Sequence, residues 1–185
     1  MTGKAKSGND VLLTLYRVYE LTAEQETARR ALSNSIYPPD KEWAGRSIEW
    51  TPGQYCAICW DSDQNAVSHA GGVIRSGLAN NRNVKIGGIG SVMTHADSRK
   101  QGLAARAIER LFEFFKDEEV DFALLVCEPI LIPYYQNLDW QPFDGDLLVT
   151  QRGESCKFTF NRPMVLPVCS AACDKGVIDL IGPPW

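Results

Sequence analysis

The sequence predicts an α/β fold, a mixed central sheet of about seven strands flanked by helices, and three observations predict it. Apolar patterning switches between the strand and helix periods in the order β-α-β-β-β-α-β-α-β-β. Two polar turns, at 61–65 and 80–83, join three successive strand-like runs and mark antiparallel hairpins. The continuous apolar run at 122–127, FALLVC, directly follows an amphipathic helix, which is the pattern of a central parallel strand covered on both faces.

The elements follow in order. Residues 11–20, rich in apolar and β-branched types, read as the first strand. Thr22 with Gln25 three residues on forms a capping box, so a helix starts there and runs to about Ser35, ended by Pro38 and Pro39. Residues 40–52 read as a polar loop or short helix. Strands follow at 54–61, from 66 to about 77, and at 84–94. Ala104, Ile108, Leu111, Phe112 and Phe115 recur at helical spacing, with Glu109, Arg110, Glu113 and Lys116 on the other side. After the 122–127 strand comes a short helix-like segment at 129–137, then strands near 147–150 and 157–167. No repeat, low-complexity stretch or linker divides the chain, so residues 1–185 read as one domain with a flexible N-terminus at 1–10.

Composition narrows the function. At 185 residues, 44% hydrophobic and 23% charged, the chain is an ordinary globular length and mix. A net charge of −4 implies no broad basic face, so nucleic acid is a poor partner. No apolar run approaches the roughly 20 residues a membrane helix needs, and the first ten residues lack the apolar core of a signal peptide. The expectation is a cytoplasmic protein, off the membrane, whose six cysteines are reduced. Cys56 and Cys59 form a CxxC, but residues three apart on a strand point to opposite faces. Cys169 and Cys173 do not supply the usual second half of a zinc site. No metal is expected.

The most informative segment is 92–104, VMTHADSRKQGLA, which leads from a strand end through a polar loop into a helix. Unpaired main-chain N–H groups and the helix dipole make such a start an anion site. Gly102 leaves room for a phosphate, Ala104 is small, and Arg99 and Lys100 add charge.

Arg99-x-x-Gly102-x-Ala104 resembles the pyrophosphate-binding pattern of the GCN5-related N-acetyltransferase (GNAT) superfamily. Residues 134–140, YYQNLDW, resemble that family's aromatic-Tyr-x-x-x-Gly-aromatic signature, with Asp139 in place of the glycine. The resemblance covers 11–185. It implies a GNAT fold whose fourth strand splays from the fifth, and acetyl-CoA as co-substrate. The glycines at 87, 88 and 90 suit that splay. The main chain at Val92, Met93 and Thr94 would pair with the pantetheine arm, and the Val92 amide would polarise the thioester carbonyl. The loop residues Arg99, Lys100, Gln101, Gly102, Leu103 and Ala104 would hold the pyrophosphate.

The segments 164–168 and 178–185 resemble the tail of aminoglycoside 2′-N-acetyltransferases, which end in a Trp whose carboxylate meets the drug. Glu42-Trp43 stands where those enzymes carry an Asp-Trp pair whose acid contacts substrate. The likeness implies that Glu42 and Trp185 bind the acceptor. Gly90 replaces the strand-four Glu taken as their base, and Pro183 replaces the acid two residues before their final Trp, so the chain is read into the wider branch.

Direct transfer needs an uncharged amine, a polarised thioester and a proton for the leaving thiolate. Tyr135 matches the family tyrosine and is the expected proton donor, while Tyr134 packs. Glu128, at the end of the fifth strand, is the first candidate base, because loops after parallel strands line clefts. Glu42 is the second. His95 reads as a surface or structural residue and His69 as core or edge. The expected activity is acetyl transfer to a primary amine of a small molecule, aminoglycoside-like or otherwise. A peptide-amine acetyltransferase and a non-catalytic acyl-CoA-binding module stay open, as does a homodimer.

Overall fold

The computed structural model describes residues 11–185. Residues 1–10, read from sequence as a flexible terminus, lie outside the described residues. The chain forms strands β1 (Leu12–Arg17), β2 (Tyr55–Trp60), β3 (Ala66–Ala79), β4 (Arg82–Thr94), β5 (Phe122–Cys127), β6 (Gln141–Pro142), β7 (Asp144–Gln151), β8 (Glu154–Lys157), β9 (Arg162–Pro167) and β10 (Lys175–Asp179). Helices are α1 (Ala23–Ile36), α2 (Leu103–Asp117) and the short α3 (Ile132–Gln136), with 3-10 turns between. Among the described residues no helix is long and apolar enough to cross a membrane.

The ten strands form one mixed, curled sheet in the order β6-β9-β5-β4-β3-β10-β7-β8, with β2 and then β1 branching from β3. The branch is possible because β3 is long. Its first half pairs with β2, and its last two residues, Leu78 and Ala79, pair with β10. Among the described residues the parallel neighbours are β4 with β5 and β7 with β10. Seven strands were expected. β6, with two residues, is too short to show a period. The strand expected at 157–167 is shorter, β9 at Arg162–Pro167, and Lys157 instead ends β8, with the buried Phe158 in the connection. β10 had been read only as tail. At the other end, β1 stops at Arg17 and 18–20 form a 3-10 turn.

Local chemistry explains the helices. Thr22 accepts from the Gln25 N–H at 3.3 Å while the Gln25 side chain accepts from the Thr22 N–H at 3.0 Å, closing the capping box that starts α1. α2 buries Leu103, Ala107, Ile108, Leu111 and Phe115, a stripe at helical spacing, against one face of β1–β4, with Ala123 and Leu125 of β5 in the same core. α1 covers part of the opposite face, around Cys56, Ile58 and Met93. The rest of that face carries Ile86, Phe122 and Leu124, which pack under β7, β10 and the residues after β10.

Two glycines in β4 set how closely these layers approach. Alternate strand residues face opposite sides. A Cβ on Gly87 would lie 2.5 Å from the Phe115 ring of α2. A Cβ on Gly88 would fall inside the Trp185 indole on the other side. Gly87→Val should therefore cost about 1–3 kcal/mol of stability by overpacking. Combined with Phe115→Leu, which frees space at the same contact, the loss should be smaller than the sum of the two single losses. Urea denaturation of the four proteins measures this.

Candidate active site

The parallel pairing of β4 with β5 runs from Ile86–Phe122 to Ile89–Leu125 and stops. β4 continues to Thr94 along β3, while β5 stays with β9 to Cys127. The two strands therefore part, and main-chain groups of 90–94 on that edge face a cleft instead of a partner strand.

A bulge aims this open edge. Between His69 and Gly71 the register slips, so Ser91 and Val92 together face Ala70. Ser91 has a φ of 49°, in the left-handed region. Two side chains of β3 hold the distortion. The Ser68 hydroxyl donates to the Met93 carbonyl at 3.0 Å, and the His69 Nδ1 lies 2.8 Å from the Ser91 carbonyl. A carbonyl only accepts, so Nδ1 carries the hydrogen. His69 is 3% exposed. Burial drives its pKa down to about 4 against the bond to Ser91, with Arg29 lowering it further and Glu26 opposing.

The loop after β4 makes a 3-10 turn at Ala96–Ser98, capped by His95, and enters α2 through Gly102 at φ 73°. Among the described residues, no main-chain N–H from Lys100 to Ala105 donates to a main-chain carbonyl. The side chains of Arg99, Lys100 and Gln101 are exposed. A Cβ on Gly102 would meet nothing within 4 Å, so glycine serves the backbone angle there and leaves open space beside the free N–H groups.

One cleft, of about 370 Å³, gathers these parts. Val92, Met93, Thr94, Arg99, Lys100, Gly102, Leu103 and Ala104 line it, together with Tyr134 and Tyr135 of α3. The side chains of Met93 and Leu103 are buried in the core, so those residues offer the cleft main chain only. Gln101 points elsewhere, into a separate hollow with His95 and Asp97. Tyr135 is 6% exposed, and its ring packs on Trp140. Burial pushes its phenol well up, with Cys127, Tyr134 and Tyr37 adding to the effect, so the hydroxyl stays protonated and can donate.

The acceptor-side residues read from sequence are more scattered. Glu128 is exposed just after β5, begins the turn at Pro129–Leu131 and makes no capping bond to it. It lies close enough to Tyr37 to raise that phenol, after burial. Glu42 is exposed in the loop after α1. Neither lines the cleft. Trp185 is buried against β4 from the opposite side. Its indole N–H donates to the Leu124 carbonyl at 3.2 Å, and its main-chain carbonyl carbon lies 2.9 Å from where a Gly90 Cβ would be. Sequence reasoning missed what holds this tail. Arg75 donates to the Pro183 carbonyl and to the Thr51 hydroxyl, both at 2.7 Å, and lies 5.5 Å from the centre of the Trp185 ring. An arginine in mid-strand was the available signal.

Cys56 and Cys59 are buried in different clusters, one toward α1 and one against α2. Burial raises both thiols. Among the described residues, no three His, Cys, Asp or Glu side chains form a metal-like group.

Comparisons with known proteins agree with this geometry. The family model of the acetyltransferase (GNAT) domain matches residues 17–143, and the chain belongs to that family. It is an acetyl-CoA-dependent acyltransferase of the N-acetyltransferase class. Similar solved structures include Escherichia coli ElaA, 15% identical with a TM-score of 0.60, over 84% of this chain and 98% of that one. The Escherichia coli N-acetyltransferase YhbS, solved with CoA, is 10% identical with a TM-score of 0.60, over 97% and 94%. An acyl-CoA N-acyltransferase from Pseudomonas aeruginosa is 16% identical with a TM-score of 0.58, over 84% and 99%. At these identities the likeness is one of fold. No curated protein matches the sequence.

His69 carries a pH prediction. Its folded pKa, about 4, lies below the ordinary 6.5. Above pH 6.5 its contribution to stability is fully present. As pH falls toward 4 the unfolded chain takes up a proton that the folded chain refuses, and stability is lost. The shift corresponds to about 3 kcal/mol. Denaturation midpoints of wild type and His69→Gln, compared near neutral pH and near pH 4, should show a shallower fall in the variant.

Proposed function

We propose that the protein transfers the acetyl group of acetyl-CoA to a primary amine of a small molecule, acting in a cytoplasmic setting where its thiols stay reduced. The observation that carries this reading is the cleft itself, where the open edge of β4, the free N–H groups at the start of α2 and the Tyr135 hydroxyl converge.

Acetyl-CoA supplies the activated acetyl thioester. The N–H groups from Lys100 to Ala105, with the positive end of α2, suit its pyrophosphate, and the charges of Arg99 and Lys100 add to them. The edge at Val92–Thr94 suits the pantetheine amides, and the Val92 N–H suits a thioester oxygen on which charge develops. His69 and Ser68 hold that edge in place. Tyr135 keeps its proton for the departing sulfur. Glu128 is the base candidate on the acceptor side. Glu42 and Trp185 remain the acceptor residues implied by the tail's likeness to aminoglycoside 2′-N-acetyltransferases, and an aminoglycoside-like acceptor rests on that likeness alone.

A small acceptor is favoured over a peptide because the loop after α1 is laced to the β7–β8 arm. The Glu49 N–H donates to the Gln151 side chain at 2.9 Å, Gln151 donates back to the Glu49 carbonyl at 2.9 Å, and the Arg152 N–H donates to the Glu49 carboxylate at 3.0 Å. This bridge ties down the loop after α1, and a fixed loop suits a small acceptor better than an extended chain.

Two outcomes test the reading. Gly102→Val places a side chain at the phosphate approach and a strained φ at the helix start, so CoA affinity by calorimetry should fall by roughly tenfold or more, about 1.4 kcal/mol. Tyr135→Phe preserves the ring and should leave CoA affinity unchanged while turnover falls by about two orders of magnitude. Unchanged turnover, with chemistry rate-limiting, would remove Tyr135 as the acid.

A further inference from the structure

The cleft's outer mouth carries aromatic rings that the transfer chemistry does not use. α1 ends at Ile36, which lines the cleft, and Tyr37 follows. From Tyr37 a file of rings leads away: Tyr37 to Trp43 at 5.5 Å, Trp43 to Trp50 at 6.2 Å and nearly parallel, and Trp50 on to Phe158 and Phe160. The far end of the file is core. Phe158 is buried, and Trp50 donates its indole N–H to the Gly45 carbonyl at 2.8 Å. The near end is not. Tyr37 is 45% and Trp43 39% exposed, although each is large and apolar.

The near end also lies near the groups read as reactive. Tyr37 is within electrostatic reach of both Glu128 and Tyr135. Glu128 forms no ion pair or side-chain hydrogen bond with another described residue. Leu131 and Tyr134 complete the wall on the cleft side. Of the exposed acids in and beside this stretch, Asp40, Glu42 and Glu128, only Glu128 acts on Tyr37, so the mouth sets exposed aromatic faces beside one carboxylate. A polycation such as an aminoglycoside calls for several carboxylates. A single ammonium on a flat apolar body calls for this set: one carboxylate for the charge, ring faces for cation–π contact and for stacking.

We propose that the acceptor is a monoamine on an aromatic or similarly flat apolar body, with Tyr37 and Trp43 holding that body and Glu128 holding the amine. This rests on the acetyl-transfer reading above. A second role for Trp43, as a lid on the core beneath it, is what the test must separate.

The test compares acetylation of 2-phenylethylamine, isobutylamine, spermidine and kanamycin by the full chain. Binding of 2-phenylethylamine to the CoA-loaded protein is measured separately by calorimetry. The expected result is a kcat/KM for 2-phenylethylamine roughly tenfold or more above that of the other three, the scale of a buried aromatic pair. In Trp43→Ala the ratio of 2-phenylethylamine to isobutylamine should fall by a similar factor, and in Trp43→Phe it should recover. A ratio is unmoved by general loss of active protein, so a merely structural Trp43 would leave it constant, and that result overturns the proposal. Preference for spermidine or kanamycin keeps acetyl transfer and overturns the aryl class. Calorimetric binding of 2-phenylethylamine without turnover of any amine keeps the aryl site and overturns the transfer reading.

Discussion

The parting of β4 from β5 after Ile89 and Leu125 is the constraint around which the molecule is arranged. Two neighbouring parallel strands that stop pairing leave main-chain donors and acceptors in need of other partners, and unpaired buried groups are costly. On β5, β9 pairs only the far edge, to Cys127, and does not reach the edge that β4 has left. On β4, β3 likewise pairs the far edge, and its Ser68 and His69 reach across to the Met93 and Ser91 carbonyls to steady the bulged end. What is left open is the edge that faces the cleft. A binding surface made of backbone is thereby produced by geometry, with few side chains committed to it.

The paired stretch just before the parting is packed on both faces. On one side Phe115 of α2 sits on Gly87, and on the other the Trp185 indole sits on Gly88 and reaches the Leu124 carbonyl. The tail is itself positioned by Arg75, whose guanidinium joins β3 to Thr51 and Pro183. A chain of contacts thus connects the loop after α1, the tail and the strand that carries the cleft edge.

Much of this was legible in the sequence, for identifiable reasons. The capping box of α1, the apolar stripe of α2 and the buried run of β5 are local signals, and each element formed where its pattern placed it. The loop 95–104 was legible because glycine and the small and charged residues fall where a helix begins. The bulge at Ser91 was not, since a serine in the left-handed region has no signature without the strand beside it. Nor were the partners of His69, which lie 22 residues away across a hairpin. The file of rings that starts at the end of α1 was the least legible part. Glu42 was singled out by likeness, yet it is the neighbouring Trp43, together with Tyr37, that keeps an exposed face in the ring file. Aromatic residues scattered through a loop carry no period, so only the fold could bring them into one file.

The branching of the sheet has a bearing on how the chain reaches this state. β5 is central, yet one of its two neighbours, β9, comes after the whole 128–161 segment, and β10 completes β3 only later. The Val177 N–H bonds the Asn80 side chain across 97 positions in sequence. Such distant pairings are slow to close. Until β9 arrives, the apolar edge of β5 is an unprotected strand, open to pairing with the wrong chain. The layout that frees one edge for a ligand in the finished protein therefore leaves another edge bare during synthesis, and the pace at which β9 docks sets how long a ribosome-bound chain stays prone to aggregate.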